Sequence, residues 1–417
     1  MSSNLTTTAT QKEAKPALVP KLRFPEFHGA EGWKMTPLER CLDYQQPTPY
    51  LVKDERYNPA FKTPVLTAGK TFILGNTNEE HGIFTDGLPV IIFDDFTTAT
   101  QFVDFPFKAK SSAMKILQAK NGADIKFMFE ALQNLSFEVG AHERHWISTF
   151  APMLVPVPSP DEQNKIAECL SSVDELIAAQ VQKVDALKIH KKGLMQQLFP
   201  REGETQPRLR FPEFQNAREW AVKRVDEQGS VLAGKALAVD APGPQRPYLR
   251  TKNVLDGAID ISDVLTMPMS DAEFTRFEIL DGDVLLNEGQ SLELVGRASI
   301  YHGELCQRCA MQNALLRFRA FPSTSAEFAS QYFRQCQKDG TFSNLATKTT
   351  SVAHLGSSRF SALELAWPSL PEQQRIASCL SSLDALITAE TQKHEALKTH
   401  KRGLMQQLFP SPEEATS

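Results

Sequence analysis

The sequence predicts an α+β protein: two similar mixed α/β blocks separated by two long antiparallel helices that form an intramolecular coiled coil with pseudo-twofold organisation. Three observations predict it. The stretch from Pro158 to Pro200 returns from Pro368 to Pro410 without a gap, with roughly two-thirds of its positions identical. A shorter repeat accompanies it: Lys21-Leu22-Arg23-Phe24-Pro25-Glu26-Phe27, followed by Trp33, returns as Arg208-Leu209-Arg210-Phe211-Pro212-Glu213-Phe214, followed by Trp220. Both long stretches also carry apolar residues at steps of three and four.

In the first copy that seam is Ile166, Leu170, Val173, Ile177, Val184, Leu187, Leu194 and Leu198. In the second it is Ile376, Leu380, Leu383, Ile387, Leu397, Leu404 and Leu408. The pattern runs through about five heptads without Pro. Acidic Asp161 and Glu162 suit a first turn, and Pro200 stops the helix, for a length on the order of 55 Å. A lone helix would leave its seam wet, so two copies in one chain are expected to bury each other. Gln180, Lys191, Glu390, His394 and Lys401 interrupt the seam; polar breaks of this kind fix register at some cost in stability.

With 417 residues the chain can build two or three domains, and 41% hydrophobic with 23% charged residues describes a soluble globular protein. No apolar run reaches membrane-span length and no basic-then-apolar signal opens the chain. Six scattered cysteines fit a reduced, cytoplasmic protein with no membrane partner. A net charge of -5 argues against a lone nucleic-acid binder, which normally carries a basic excess, so such binding would need local basic faces or a basic partner.

The expected divisions are a disordered tail at 1–19, a first block at 20–157, a first helix with linker at 158–206, a second block at 207–367, and a second helix with tail at 368–417. In block one, Thr63 to Leu74 reads as a hairpin turning at Ala68-Gly69-Lys70. A buried strand follows at Leu88 to Phe93, then a polar turn at Asp94 to Thr98, a strand at Gln101 to Phe107, a helix at Asp124 to Leu135, and an edge strand at Met153 to Val157. In block two, Asp256-Gly257 reads as a hairpin turn between Tyr248 to Leu255 and Ala258 to Leu265. Ser270 and Glu273 form a capping box. Strands are expected at Asp283 to Leu286, Leu294 to Tyr301 and Ala314 to Phe318, a helix at Ala326 to Lys338, and a closing strand at Ala362 to Leu365. The two blocks read as one fold with different surfaces.

No catalytic constellation emerges. Asn58-Pro59-Ala60-Phe61 approaches the Asn-Pro-Pro-aromatic turn that holds a flipped adenine in amino-methyltransferases. It lacks the second Pro, and no Gly-x-Gly segment precedes it. Cys306-x-x-Cys309 with His302 offers three metal ligands where zinc needs four, so no metal site is expected. Asp94-Asp95 and Asp281-Gly282-Asp283 suit turns better than nuclease chemistry, and no phosphate-binding loop appears.

What remains is recognition. Lys108, Lys110, Ser112, Lys115 and Lys120 form a basic run able to neutralise phosphates, though a solvated face would read the same. In block two, Tyr248, Arg250, Lys252, Asn253, Asn287, Gln290, Ser291, Arg297 and Asn313 supply amides, hydroxyls and guanidiniums suited to base edges, or to ordinary loop polarity.

The chain resembles the specificity subunit of type I restriction-modification systems, from Leu22 to Pro410. The resemblance rests on the two Glu-Gln-x-x-Ile-Ala helix starts (Glu162 to Ala167, Glu372 to Ala377) and the two Gly-Leu-Met-Gln-Gln-Leu-Phe ends (Gly193 to Phe199, Gly403 to Phe409). The two Leu-Arg-Phe-Pro-Glu-Phe openings add to it. It implies that the blocks are target-recognition domains, each reading one half of a bipartite sequence in double-stranded DNA, and that the helix pair sets the spacer. It implies two modification (methyltransferase) subunits as partners, with two restriction subunits as an optional addition. It also implies a chain that is no enzyme and binds no cofactor itself, with methyl donor, ATP and Mg on partner subunits. The alternatives are a self-sufficient DNA adenine methyltransferase and a coiled-coil adaptor that does not bind DNA.

Overall fold

Each repeated stretch folds into one uninterrupted helix, Pro160–Leu198 and Leu370–Leu408. Both stop two residues short of a proline, at Pro200 and Pro410. The computed structural model describes residues 18–67, 71–120, 122–135, 145–201, 203–236, 241–348 and 352–410. The chain divides into two compact units, Met1–Val181 with Lys393–Ser417, and Gln182–Gln392. The sequence-level division counts the helices as segments of their own. Here each unit instead holds the first part of one helix and the last part of the other.

In the first unit, a four-stranded antiparallel sheet has the spatial order Leu42–Gln45, Met114–Ala119, Val90–Asp94, Thr100–Val103. Every residue of Val90–Asp94 is buried, as expected of a short apolar run. Thr63–Leu66 pairs antiparallel with Ile73–Thr77; the turn assigned to Ala68-Gly69-Lys70 lies outside the described residues. The helix Ile125–Gln133 is capped by the Asp124 carboxylate, which accepts from Phe127 N–H at 2.7 Å. Leu154–Val157 closes the block against Lys34–Pro37.

The second unit repeats this scaffold. Its sheet runs Gly229–Ala233, Leu315–Ala320, Val284–Asn287, Ala298–Ile300, all antiparallel. Its helix Ala326–Lys338 is capped by Ser325, and Glu364–Trp367 closes against Ala221–Arg224. The Ser270–Glu273 capping box forms. The hairpin turning at Asp256-Gly257 forms too: Gln245–Leu249 pairs antiparallel with Leu265–Pro268, Val254 bridges Ile259, and both share the register that the two-residue turn sets. Residues 250–264 form the hairpin's long excursion beyond the paired strands, its tip closed by Leu255 N–H donating to Ala258 O at 2.9 Å. Asn253 closes the excursion from inside, its amide donating to the carbonyls of Asp260 (2.7 Å) and Asp263 (3.0 Å).

The short repeat explains itself at the helix starts. Glu162 is buried and accepts two bonds from the Arg23 guanidinium (2.8 and 2.7 Å) and one from the Trp33 indole (3.2 Å). Glu372 receives the same three bonds from Arg210 (2.7 and 2.7 Å) and Trp220 (3.2 Å). The next residue ties the block helix on: Gln163 Oε1 accepts from Asp124 N–H, and Gln373 Oε1 from Ser325 N–H, both at 2.9 Å. At the helix ends, Phe409 stacks on Phe127 (5.2 Å between centroids) in the first unit. Phe199 stacks on Tyr332 (4.8 Å) in the second.

All fifteen seam residues are buried or half-buried. In the second unit the helices run antiparallel: Lys191 meets Asp384 (2.5 Å), while Lys183, eight residues earlier, meets Glu390 (2.5 Å), six residues later. In the first unit Lys401 meets Asp174 (2.8 Å) and Glu130 (2.9 Å), and Lys126 meets both acids at 2.7 Å. The seam interruptions Lys191 and Lys401 are therefore the ion-pair positions, each answering an Asp at the same place in the other copy. Burial pushes the Asp174 and Asp384 carboxyls up, but their lysine hydrogen bonds prevail and hold both below 3.8.

Two predictions follow from this clamping. Glu162→Ala, or equally Glu372→Ala, leaves a buried guanidinium unpaired and costs about 3–5 kcal/mol in chemical denaturation. Because the Asp174 pKa is lowered by folding, its contribution is present above 3.8 and is lost as pH falls through the lower folded value. Asp174→Asn should flatten the acid limb of the melting-temperature profile relative to wild type.

Candidate nucleic-acid interface

The lysine run of block one does not form one exposed basic face. Lys108 is buried (2% exposed), with its ammonium on Glu79 (2.9 Å) and the His81 carbonyl (2.6 Å). Lys115 is buried (1% exposed) against Asp95 at 3.1 Å, and lies 5.6 Å from the Tyr44 ring centroid. These two lysines neutralise internal acids, which sequence density cannot distinguish from surface charge. Lys110 is half-buried and paired with Glu55, whose hydrogen bond raises its pKa. Ser112 and Lys120 are exposed, the latter donating to the Glu39 carbonyl at 2.6 Å.

Block two needs similar correction. Tyr248 is a core side chain packed with Met267, Met269 and Phe274. Asn253 is buried and structural, and Asn287 is fully buried with no protein partner for its amide. Burial withdraws these three from any surface contact. Arg250 and Lys252 share Asp263 (2.6 and 2.7 Å). Arg297 is half-buried and donates to the Thr251 carbonyl (3.3 Å). Burial lowers its pKa against the pull of Asp256. Gln290 is half-buried in a short strand opposite Ala353, whereas Ser291 and Asn313 are exposed.

One polar cleft of about 470 Å³ does gather predicted residues with unpredicted ones. Glu288, Asn313, His354, Ser357, Ser358 and Arg359 line it. Glu288 is its pivot. Its backbone N–H donates to Ala314 O (2.8 Å), its carbonyl accepts from Leu355 N–H (2.8 Å), and its carboxylate meets His354 (3.2 Å) and Gly356 N–H (3.2 Å). Arg359 donates to the His354 carbonyl (2.8 Å) and stays exposed, as do Ser358 and Asn313. An amide, a hydroxyl and a guanidinium at one opening are the groups that discriminate base edges. His354 to Arg359 carry no spacing that marks them; only their polarity ahead of an apolar closing strand stands out.

The first unit has the same pivot, differently furnished. Asp95 N–H donates to Ala113 O (3.1 Å), its carbonyl accepts from His145 N–H (3.0 Å), and its carboxylate accepts from Trp146 N–H (2.9 Å). Ser112 thus sits where Asn313 sits, at the turn before the matching sheet strand. Asp95 pairs with Lys115 of the sheet strand, whereas Glu288 pairs with His354 of the segment before the closing strand.

The protein-family model describing a type I restriction modification DNA specificity domain matches residues 217–399. Over 377 residues the chain is 32% identical to the type I restriction enzyme EcoR124I/EcoR124II specificity subunit of Escherichia coli, covering 85% of this chain and 88% of that one. It is 22% identical over 405 residues to the MjaVIII specificity subunit of Methanocaldococcus jannaschii, covering 93% and 95%. The fold resembles the crystal structure of a type I restriction-modification S subunit from M. genitalium, with TM-score 0.60, 15% identity, and 94% and 100% of the two chains covered. With its duplicated clamps and 32% identity to the Escherichia coli protein over 85% of its length, the chain belongs to the family of type I restriction-modification DNA specificity subunits.

Proposed function

We propose that the chain directs a type I restriction-modification complex to a bipartite DNA sequence without catalysing any step itself. Each block reads one half-sequence, and the helix pair sets the number of unread base pairs between them. The observation that carries this reading is the twice-built scaffold with unlike fittings. The carboxylate clamps, sheet order and pivot acids repeat, while Ser112 stands in the place of Asn313 and the pivot acid pairs with Lys115 in one unit and with His354 in the other. A rigid helix converts residue count into distance, which is what a fixed half-site spacing requires.

The helices also favour recruitment of two copies of one partner, the modification subunits. Ser172, Leu176, Ala179, Lys183, Ala186 and His190 lie on one line of the first helix at 3.6 residues per turn, and all are exposed. The same six residue types recur, all exposed, from Ser382 to His400. Beside and beyond this line other exposed positions differ between the copies: Glu168 against Ser378, Glu175 against Ala385, Ile189 against Thr399. An exposed leucine kept at one place in both helices (Leu176, 58% exposed; Leu386, 41%) suits a like contact made twice. Adenine-N6 methylation, and ATP-dependent cleavage where restriction subunits join, then belong to the partners. These would bring the methyl donor, ATP and Mg.

Two experiments test this. Replacing residues 207–367 with another family member's block should change one half of the methylated sequence, mapped genome-wide, and leave the other half intact; a change in both halves contradicts independent reading. Leu176→Glu or Leu386→Glu should each cut the number of bound modification subunits from two to one by native mass spectrometry, and the double variant should bind none.

A further inference from the structure

In the second unit a chain of charged side chains runs from the helix pair to the excursion of block two. Lys191, on the first long helix, donates to both oxygens of Asp384 on the second (2.5 and 2.6 Å). Asp384 Oδ2 also accepts from Arg334 Nη1 (3.2 Å) and from the Gln331 amide (2.9 Å), both on the block helix Ala326–Lys338. Arg334 Nε then donates to Asp256 (2.6 Å), and Lys338 reaches the other oxygen of that carboxylate (2.9 Å). The Arg334 side chain is only 8% exposed. Gly257, with φ of +73°, lies so close that a Cβ there would meet Arg334 Cζ at 2.5 Å. The turn is therefore seated against the guanidinium, with no room for a side chain.

The contacts are also electrostatically matched. Burial pushes the Asp256 carboxyl up, but Arg334 and Lys338 outweigh it and hold the pKa down to about 2. Burial, reinforced by Arg334, brings the Lys191 ammonium down to about 8, with Asp384 pulling the other way. The group lines a cleft of about 1050 Å³ between helix pair, block helix and turn.

Among the described residues, the first unit shows no such link. The two block helices align at their caps, Asp124 and Ser325, each held by the matching glutamine of a long helix. That alignment puts Glu130 where Gln331 stands and Gln133 where Arg334 stands. Glu130 reaches Lys401 of the helix pair, as Gln331 reaches Asp384. Gln133 turns to Thr100 and carries nothing onward.

We infer that Arg334 is a positioning residue for the second half-sequence, fixing the excursion 250–264 against the helix pair so that block two reads in register with the spacer. The inference rests on the bipartite reading proposed above. Arg250 and Lys252 lie on that excursion, and Arg297 braces it from below at the Thr251 carbonyl. Without the Asp384–Arg334–Asp256 link the excursion would still be closed by Asn253 and held by Lys338 at Asp256, but among the described residues no single side chain would join it to the helix pair.

The test uses the chain assembled with its modification subunits, and duplexes carrying the mapped site with the native spacer or one base pair more or less. Arg334→Gln installs the residue type of the first unit. It should preserve methylation of the native duplex while raising relative methylation of the altered spacers about tenfold, the scale of one lost charged hydrogen bond. Discrimination within the first half-sequence should not change. Asp256→Asn breaks the far end of the link, leaves Arg334 on Asp384, and should shift the spacer ratio the same way; it carries the test if Arg334→Gln does not fold. An equal loss on all three duplexes with an unchanged ratio would mean that Arg334 is merely structural, and would overturn the inference. A wild-type complex with no bipartite site would instead overturn the functional reading beneath it.

Discussion

The fold depends on two buried carboxylates, Glu162 and Glu372, at the first turns of the long helices. A carboxylate in the interior costs several kcal/mol unless its lone pairs are filled, and each here is filled by a bidentate arginine and an indole N–H. The arginine and tryptophan come from the segment that opens each block, so the carboxylate joins three pieces of sequence at one point. The glutamine that follows it takes hold of the block helix. A slip of one residue would rotate the carboxylate by about 100° and leave it unpaired, so the clamp sets where each helix begins relative to its block.

That register propagates along the helices through the paired lysines. Lys191 and Lys401 look like defects in an apolar seam, and their cost would be real if they faced only leucines. Each instead reaches an aspartate of the opposite helix. An ion pair at a partly buried seam disfavours sliding, since any shift separates the charges and leaves an ammonium among apolar neighbours. Apolar contacts alone would tolerate a shift of one heptad. The charged pairs do not.

This logic also separates what is legible in the sequence from what is not. The helices and their seam are legible because a 3.5-residue period sustained across each repeated stretch admits one burial geometry. The strand Val90–Asp94 and the capped helices are legible because local chemistry decides them. The lysines at 108 and 115 mislead because a basic side chain looks the same whether it faces solvent or a buried acid; the acids that claim them, Glu79 and Asp95, lie some twenty or thirty residues away. The Asp256-Gly257 turn is legible as well, because its two arms pair in the register that the turn sets; that Arg334 claims its carboxylate is not, since that contact comes from a helix residue 78 positions away. The cleft around Glu288 is assembled from segments that only the tertiary fold brings together.

A duplicated scaffold relieves a conflict that a single recognition surface would face. The residues that hold shape (Arg23, Trp33, Glu162, Gln163 and their second copies) must stay satisfied, and they are nearly interchangeable between the units. The residues at the pivot need only preserve the pivot's backbone bonds. Asp95 and Glu288 make the same three kinds of bond to the same two segments with side chains of different length. The turn beside each is thereby free to carry Ser112 in one case and Asn313 in the other. The structural work is done by buried, paired groups, and Ser112 and Asn313 sit exposed outside that network. That separation lets the two blocks share one internal frame while carrying unlike side chains at the turn beside each pivot.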